Sequence, residues 1–219
     1  MLIRTDLVDA VVLDLAAGEA AIDAARLAQD VPSTAFIAAT ALRAQDASLL
    51  GRAAEAGVVE LLVDGVDEVA VHSLLAPLMF TNRFAAAFAE PPPTLALTHP
   101  LQRDAWRALI GTGGRRVGTE RLATAAGMTR EHLSRTFSAG DAPNLKRVID
   151  LVRLLAAAEL SKNPGYDVAD VARVLSFSSP SHLASTAQRV VGTRPASLSR
   201  LRAIDLIDRF AQGRRRSRG

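Results

Sequence analysis

The sequence predicts a chain of two parts: a small α/β parallel sheet with crossover helices over residues 1–88, and an all-α region over residues 100–212. Three observations carry that expectation. In the first part, short β-branched or apolar runs alternate with longer Ala-rich segments, the pattern of parallel strands joined by helices. At "EPPPTLALTHP" (90–100) three consecutive prolines exclude a helix and stiffen the chain into a linker, assigned to 89–99. The charge also reverses. Residues 1–90 hold 5 Arg against 13 Asp/Glu, a net of −8, whereas 91–219 hold 21 Lys/Arg against 10 Asp/Glu, a net of +11. An acidic half and a half suited to polyanions follow from that split.

Taken in order, "DAVVLDL" (9–15) reads as a buried strand and "EAAIDAARLAQD" (19–30) as a helix. "STAFIAAT" (33–40) is the second strand, "ASLLGRAAEAG" (47–57) the second helix, "VVELLVD" (58–64) the third strand and "EVAVHSLLAPLMF" (68–80) the third helix. A sheet this small leaves an edge to cover, so a homodimer formed through the N-terminal domain is expected. Beyond the linker, "PLQRDAWRALIG" (100–111) is a helix with Leu101, Trp106, Leu109 and Ile110 inward. "TERLATAAG" (119–127) runs from a Thr cap to a terminating Gly. "TREHLSRTFSA" (129–139) starts on Thr129, with Glu131 placed to favour the helix dipole. The longest helix, "NLKRVIDLVRLLAAAELSKN" (144–163), carries Val148, Val152 and Leu155 on one stripe. "DVADVARVLS" (167–176) and "SSPSHLASTAQRVVG" (178–192) repeat the short-helix, turn, longer-helix order. "PASLSRLRAIDLIDRFAQ" (195–212) closes the region, and "GRRRSRG" (213–219) is a basic tail.

Several functions are disfavoured. Zero cysteines exclude disulfides, thiolate nucleophiles and cysteine-ligated metal, in keeping with a reducing cytoplasm. His72, His99, His132 and His182 lack ligand spacing, so no metal is expected. "GTGG" (111–114) lacks P-loop spacing, and no G-x-S-x-G elbow is present, so neither a cofactor nor an enzymatic activity is expected. The apolar runs are too short and too charged to span a bilayer, and "MLIRTDLVD" lacks a signal-peptide core. A cytoplasmic protein without a membrane partner is the expectation.

The second part contains an internal repeat. "ERLATAAG" (120–127) aligns with "VADVARVLS", setting Leu122 on Val171, Ala123 on Ala172 and Gly127 on Ser176, while "HLSRTF" (132–137) aligns with "HLASTA" (182–187). The offset is 49 before the turn and 50 after it, so the second turn is one residue longer. Two helices joined by a tight turn are the signature of a helix-turn-helix, whose second helix can enter a major groove. Double-stranded DNA is therefore the expected partner, read by two such units.

In the first unit Leu133 and Phe137 face the core, leaving Arg130, Glu131, Ser134 and Arg135 outward; Arg135 suits guanine and Ser134 several bases. In the second, Leu183 is the anchor and Ser181, His182 and Ser185 face out, with Gln188 and Arg189 a turn further on. Thr129, Ser178 and Ser179 stand at helix starts, where hydroxyls and backbone N–H groups suit phosphate.

On "TERLATAAGMTREHLSRTF", the long linker helix and "VADVARVLSFSSPSHLASTAQRVVGTRPASL", residues 100–202 resemble the AraC/XylS-type transcription regulators. The resemblance implies a seven-helix DNA-binding domain that regulates transcription, with RNA polymerase as a further partner. It places base-facing positions at Glu131, Ser134 and Arg135, and at Ser181, His182 and Ser185. Three positions depart from the pattern: Ser176-Phe177 where Gly-Phe is usual, Ser185 where a long basic or amide side chain is usual, and Ala187 where an aromatic is usual. Base reading is therefore expected chiefly from Arg135. The N-terminal half resembles the back part of a response-regulator receiver domain, with Asp14 ending its strand as a vestigial phosphoacceptor and Thr40 at the switch hydroxyl. Asp64 stands where that fold has a lysine, and the acidic pair that would hold Mg²⁺ has no counterpart. The resemblance thus implies a truncated, degenerate domain. The alternatives are an aspartate-phosphorylated signalling protein, and a dimerising interaction protein with only non-specific DNA binding.

Overall fold

The computed structural model describes residues 2–67 and 69–216, apart from the side chains of 214–216. The chain divides into two compact units. Val8–Arg83 and Asn163–Tyr166 make an α/β unit; Met1–Leu7, Phe84–Lys162 and Asp167–Gly219 make a helical unit.

In the α/β unit, β1 (Ala10–Asp14), β2 (Ala35–Thr40) and β3 (Glu60–Val63) form a parallel sheet, as the alternating pattern predicts, and its strand order is β1-β2-β3. Its register sets Asp14 against Ala39, and Thr40 against Val63. Strand β2 is central and nearly all buried, which suits its run of Ala, Phe and Ile. Helices α1 (Glu19–Ala25) and α2 (Ala47–Ala56) lie together, and Leu15, Ile22, Ala38 and Ala53 form a buried cluster. The Asn163–Tyr166 loop belongs to this unit through specific bonds. Asn163, 2% exposed, accepts from Ser33 N at 2.9 Å and donates to Ser33 Oγ at 2.7 Å, while Gly165 N donates to Asp30 O at 2.7 Å.

The buried Thr40 hydroxyl donates to Asp46 Oδ2 at 2.8 Å, and Arg43 N donates to the same oxygen at 2.9 Å. These two bonds, the hydroxyl first, hold the Asp46 carboxyl below its ordinary pKa. A depressed folded-state pKa gives stability that is present above the unfolded value and lost as pH falls through the folded one. The protection factors of the β2 amides, their exchange rates corrected for the intrinsic rate at each pH, should therefore fall on acidification below the ordinary carboxylate range. Asp46→Asn should flatten that acid-side dependence.

The expected third helix over 68–80 is two helices, α3 (Val71–Leu75) and α4 (Phe80–Ala87), parted by a turn; Glu68 lies outside the described residues. Pro77 carries the break, because it has no N–H to continue the helix and clashes with the preceding turn.

The helical unit holds α5 (Pro100–Ile110), α6 (Thr119–Ala125), α7 (Arg130–Phe137), α8 (Leu145–Leu160), α9 (Val168–Val174), α10 (Pro180–Val191) and α11 (Ala203–Arg216). Seven α-helices over the described residues agree with the expected all-helical region. Three local details differ from the sequence expectation. Helix α6 is capped by Gly118, which makes no side-chain bond, and Thr119 is its first helical residue. The segment 195–212 is interrupted: Pro195–Arg200 is a 3-10 turn, Leu201 is extended (φ −96°, ψ 137°), and Asp205 Oδ2 accepts from Arg202 N at 3.0 Å to start α11. Finally, α8 is buried around most of its circumference, at 13 of its 16 residues, where the stripe of Val148, Val152 and Leu155 predicts one face. The predicted basic tail begins inside α11; residues 217–219 lie outside the described residues.

Residues near the N-terminus are pinned within this unit. Ile3 is buried, Arg4 Nη1 meets Asp170 Oδ2 at 2.8 Å, Arg173 Nη1 donates to Arg4 O at 3.0 Å, and Arg115 Nη2 donates to Leu7 O at 2.8 Å. In the loop before α6, Gly114 adopts φ +82° and lies against Ala156 of α8, so close that a Cβ there would fall 2.2 Å from the Ala156 Cβ.

Candidate nucleic-acid interface

Two helix pairs, α6 with α7 and α9 with α10, are built alike. Helix α6 ends with Gly127 at φ 65°, Gly127 N donating to Thr124 O at 3.0 Å and Met128 N to Ala123 O at 3.0 Å. Helix α9 ends with Ser176 at φ 54°, Ser176 N donating to Arg173 O at 2.9 Å and Phe177 N to Ala172 O at 2.8 Å. Both are Schellman terminations, in which a left-handed residue lets two backbone N–H groups reach back to the last turn. Each donor and acceptor of the second is displaced by 49 residues from the first. The following caps are displaced by 50: Thr129 accepts from His132 N, and Ser179 accepts from His182 N. Ser178 is the additional residue in the second turn.

Ser176 occupies the left-handed region without being glycine, a conformation that costs roughly 1–2 kcal/mol for a residue with a Cβ. Ser176→Gly should relieve that strain, offset in part by the greater unfolded-state freedom of glycine. A net gain of roughly 0.5–1 kcal/mol, read as a shift in the urea midpoint with the slope unchanged, is expected.

The buried anchors correspond across the pairs. Leu133 and Leu183 are 0% and 1% exposed, and both Phe137 and Ala187 are 0% exposed. With these faces inward, Thr129, Arg130, Glu131, His132, Ser134 and Arg135 are exposed around α7. Around α10, Ser178, Ser181, His182, Ser185, Gln188 and Arg189 are exposed, and Ser179 is half-buried in its capping role. The two faces differ in how far their side chains are engaged. On α7, Arg130 Nε lies 3.5 Å from Glu131 Oε1, while Arg135 makes no hydrogen bond or ion pair among the described residues. On α10, His182 Nδ1 is 2.9 Å from Ser178 Oγ, and its ring meets that of Phe177 edge-on at 5.5 Å. Ser185 Oγ donates to His182 O at 3.1 Å, and Arg189 Nη2 meets Asp150 Oδ2 at 2.9 Å.

Residues outside these faces position them. Gln102, 1% exposed on α5, donates to Phe137 O at 2.8 Å and so holds the C-terminal end of α7. Arg153 on α8 donates through Nη2 to Leu175 O at 2.9 Å and stacks its guanidinium 3.7 Å from the centre of the Phe177 ring. Burial pulls the Arg153 pKa down, and its Nε is a buried donor without a partner. Arg153 thereby fixes the second turn, and Asp150 ties α8 to α10. The sequence expectation missed all three, although each is a polar residue beside inward-facing neighbours: Gln102 next to Leu101, and Asp150 and Arg153 flanking Leu151 and Val152.

Residues 122–200 match the family model for a helix-turn-helix domain. The match runs from α6 through both helix pairs to the 3-10 turn. No curated protein and no solved structure matches the chain. The helix-turn-helix domain supports the AraC-type DNA-binding region expected from the sequence, and with it a DNA-binding transcription regulator. Among the described residues no helix is long and apolar enough to cross a membrane.

In the α/β unit, Asp14 ends β1 and is exposed, but its Oδ1 accepts from Ala16 N at 2.9 Å as the cap of the 3-10 turn Leu15–Ala17. Thr40 ends β2 with its hydroxyl directed to Asp46, and Asp64 follows β3.

Proposed function

We propose that this chain is a sequence-specific transcription regulator that reads two adjacent major-groove segments of double-stranded DNA, one with α7 and the other with α10. The observation that carries this reading is the duplicated turn. The same Schellman bonds at an offset of 49, followed by the same hydroxyl caps at 50, present two second helices with exposed polar faces. Helix α8, with 16 residues, spans about 24 Å, a scale suited to holding two reading heads about one DNA turn apart. A net +11 over residues 91–219 supplies the phosphate attraction.

Within this reading Glu131, Ser134 and Arg135 meet base edges from α7, and Ser181, His182 and Ser185 do so from α10. Thr129, Arg130, Ser178, Ser179, Gln188 and Arg189 face the backbone. RNA polymerase is the partner at a regulated promoter. The α/β unit, a degenerate receiver-like domain, supplies homodimerisation through β3, which pairs with β2 alone among the described strands and is preceded by the exposed Val59. Sedimentation velocity at micromolar concentration should show a dimer; a monomer rejects that part of the reading.

Selection of bound fragments from genomic DNA tests the main proposal. Discrete sites with two short half-motifs about a helical turn apart are the expected result. Binding that is salt-sensitive but blind to sequence rejects two-segment reading and leaves only backbone attraction.

A further inference from the structure

A cavity of about 690 Å³ opens at the C-terminal ends of all three strands of the α/β unit. Crevices at this edge of a parallel sheet are where such folds bind ligands, and this volume lies within the range of small-molecule sites. Ala39, Leu62 and Val71 supply an apolar wall. The polar lining is Asp14, Thr40, Arg43, Gln45, Asp46, Asp64 and Asp67: four carboxylates against one guanidinium.

The way these carboxylates are used decides what the cavity can accept. Three backbone N–H groups at this edge, those of Ala16, Arg43 and Val63, already donate to carboxylates rather than facing an anion. Asp14 accepts from Ala16 N, Asp46 accepts from Arg43 N and the Thr40 hydroxyl, and Asp67 accepts from Val63 N at 2.7 Å. Arg43 acts on Asp46, helping to hold that carboxyl ionised. The remaining carboxylates leave the cavity negative, and the Asp64 side chain has no hydrogen bond or ion pair among the described residues. A phosphoryl or carboxylate ligand would meet repulsion here. Nor do the acids converge on a point: among the described residues no three His, Cys, Asp or Glu side chains are grouped as a metal site requires. Separated carboxylates beside an apolar wall suit a body with a cationic head.

We propose that this cavity binds a small organic amine, its ammonium group between Asp64 and Asp14 and its apolar body against Leu62 and Val71. The inference is independent of DNA reading, so either can fail alone.

The test is an amide-resolved NMR titration of the full chain with phenethylamine, cyclohexylmethylamine and putrescine, and in separate arms with phenylacetate and Mg²⁺. Saturable shifts at the amides of Asp14, Thr40, Asp64 and Gly65 with an apolar-bodied amine are expected, with little response to phenylacetate. Asp64→Asn, at an exposed turn position, should weaken the amine about 5-fold, and Asp64→Lys should weaken it further. No saturable shift with any of the three amines overturns the proposal. A stronger response of the same amides to phenylacetate or Mg²⁺ also overturns it, as does unchanged binding in both Asp64 variants.

Discussion

Gly114→Ala is expected to destabilise the helical unit by roughly 2–5 kcal/mol, a large share of the ~5–15 kcal/mol that holds a domain folded. Two costs combine. The residue sits at φ +82°, where a side chain is strained whatever the space around it. The new methyl carbon would also lie 2.2 Å from the Ala156 Cβ and 3.5 Å from Leu175 Cδ2, against an ordinary carbon–carbon contact of about 3.5–4.0 Å. Ala156 is 0% exposed and centred on the most buried helix, so neither it nor α8 can retreat without disturbing packing on the far side. Trp106, the sole tryptophan and 0% exposed on α5, reports the unfolding directly by fluorescence. Gly127→Ala is the control: its φ is similar, +65°, but nothing lies within 4 Å of the added carbon. Only the backbone cost, roughly 1–2 kcal/mol, applies there. Equal losses in the two variants would show that the close approach to Ala156 is not what the glycine serves.

The contrast between these two glycines marks what the sequence makes legible. Gly127 was readable because a Schellman turn depends on local chemistry: a left-handed residue, reach-back bonds to the last helical turn, and a hydroxyl cap shortly after. Those requirements recur around Ser176, so the repeat emerged from one-dimensional alignment, including its additional residue at Ser178. The parallel sheet followed from the alternation of strands and helices along the chain. Gly114 was not readable, because its constraint comes from a residue 42 positions away in the chain. Gln102, Asn163 and Arg153 were hidden likewise, since each satisfies a carbonyl or side chain in another element and leaves no local pattern. Pro77 shows the opposite failure: its local signal was plain, but the apolar run around it reads as continuous helix. At the strand ends, Asp14 and Asp64 stood out by their positions after strands. Asp46 and Asp67 did not, because their roles depend on where the following turns fold back.

Arg135→Ala is expected to weaken binding at the preferred DNA site by about 1–3 kcal/mol, or roughly 5- to 150-fold, and to relax preference at one or two base pairs of a single half-motif. Arg130→Ala should behave differently, lowering affinity evenly across sequences and reducing the salt slope by about 1, as a phosphate contact does. The distinction rests on how the two arginines are held. Arg130 is next to Thr129, the cap, and its charge is shared with Glu131. Arg135 lies one turn further along an α7 that Leu133, Phe137 and the Gln102 bond fix in place, and its guanidinium has no internal partner among the described residues to give up. A donor fork already desolvated by a protein carboxylate would lose that bond on meeting guanine, whereas this one exchanges water alone. Helix α10 cannot compensate readily. Arg189 is committed to Asp150, the Ser185 hydroxyl to a carbonyl of its own helix, and His182 to Ser178. If Arg135→Ala leaves base preferences intact while Gln188→Ala relaxes them, reading resides in α10, and the asymmetry between the two helices is reversed.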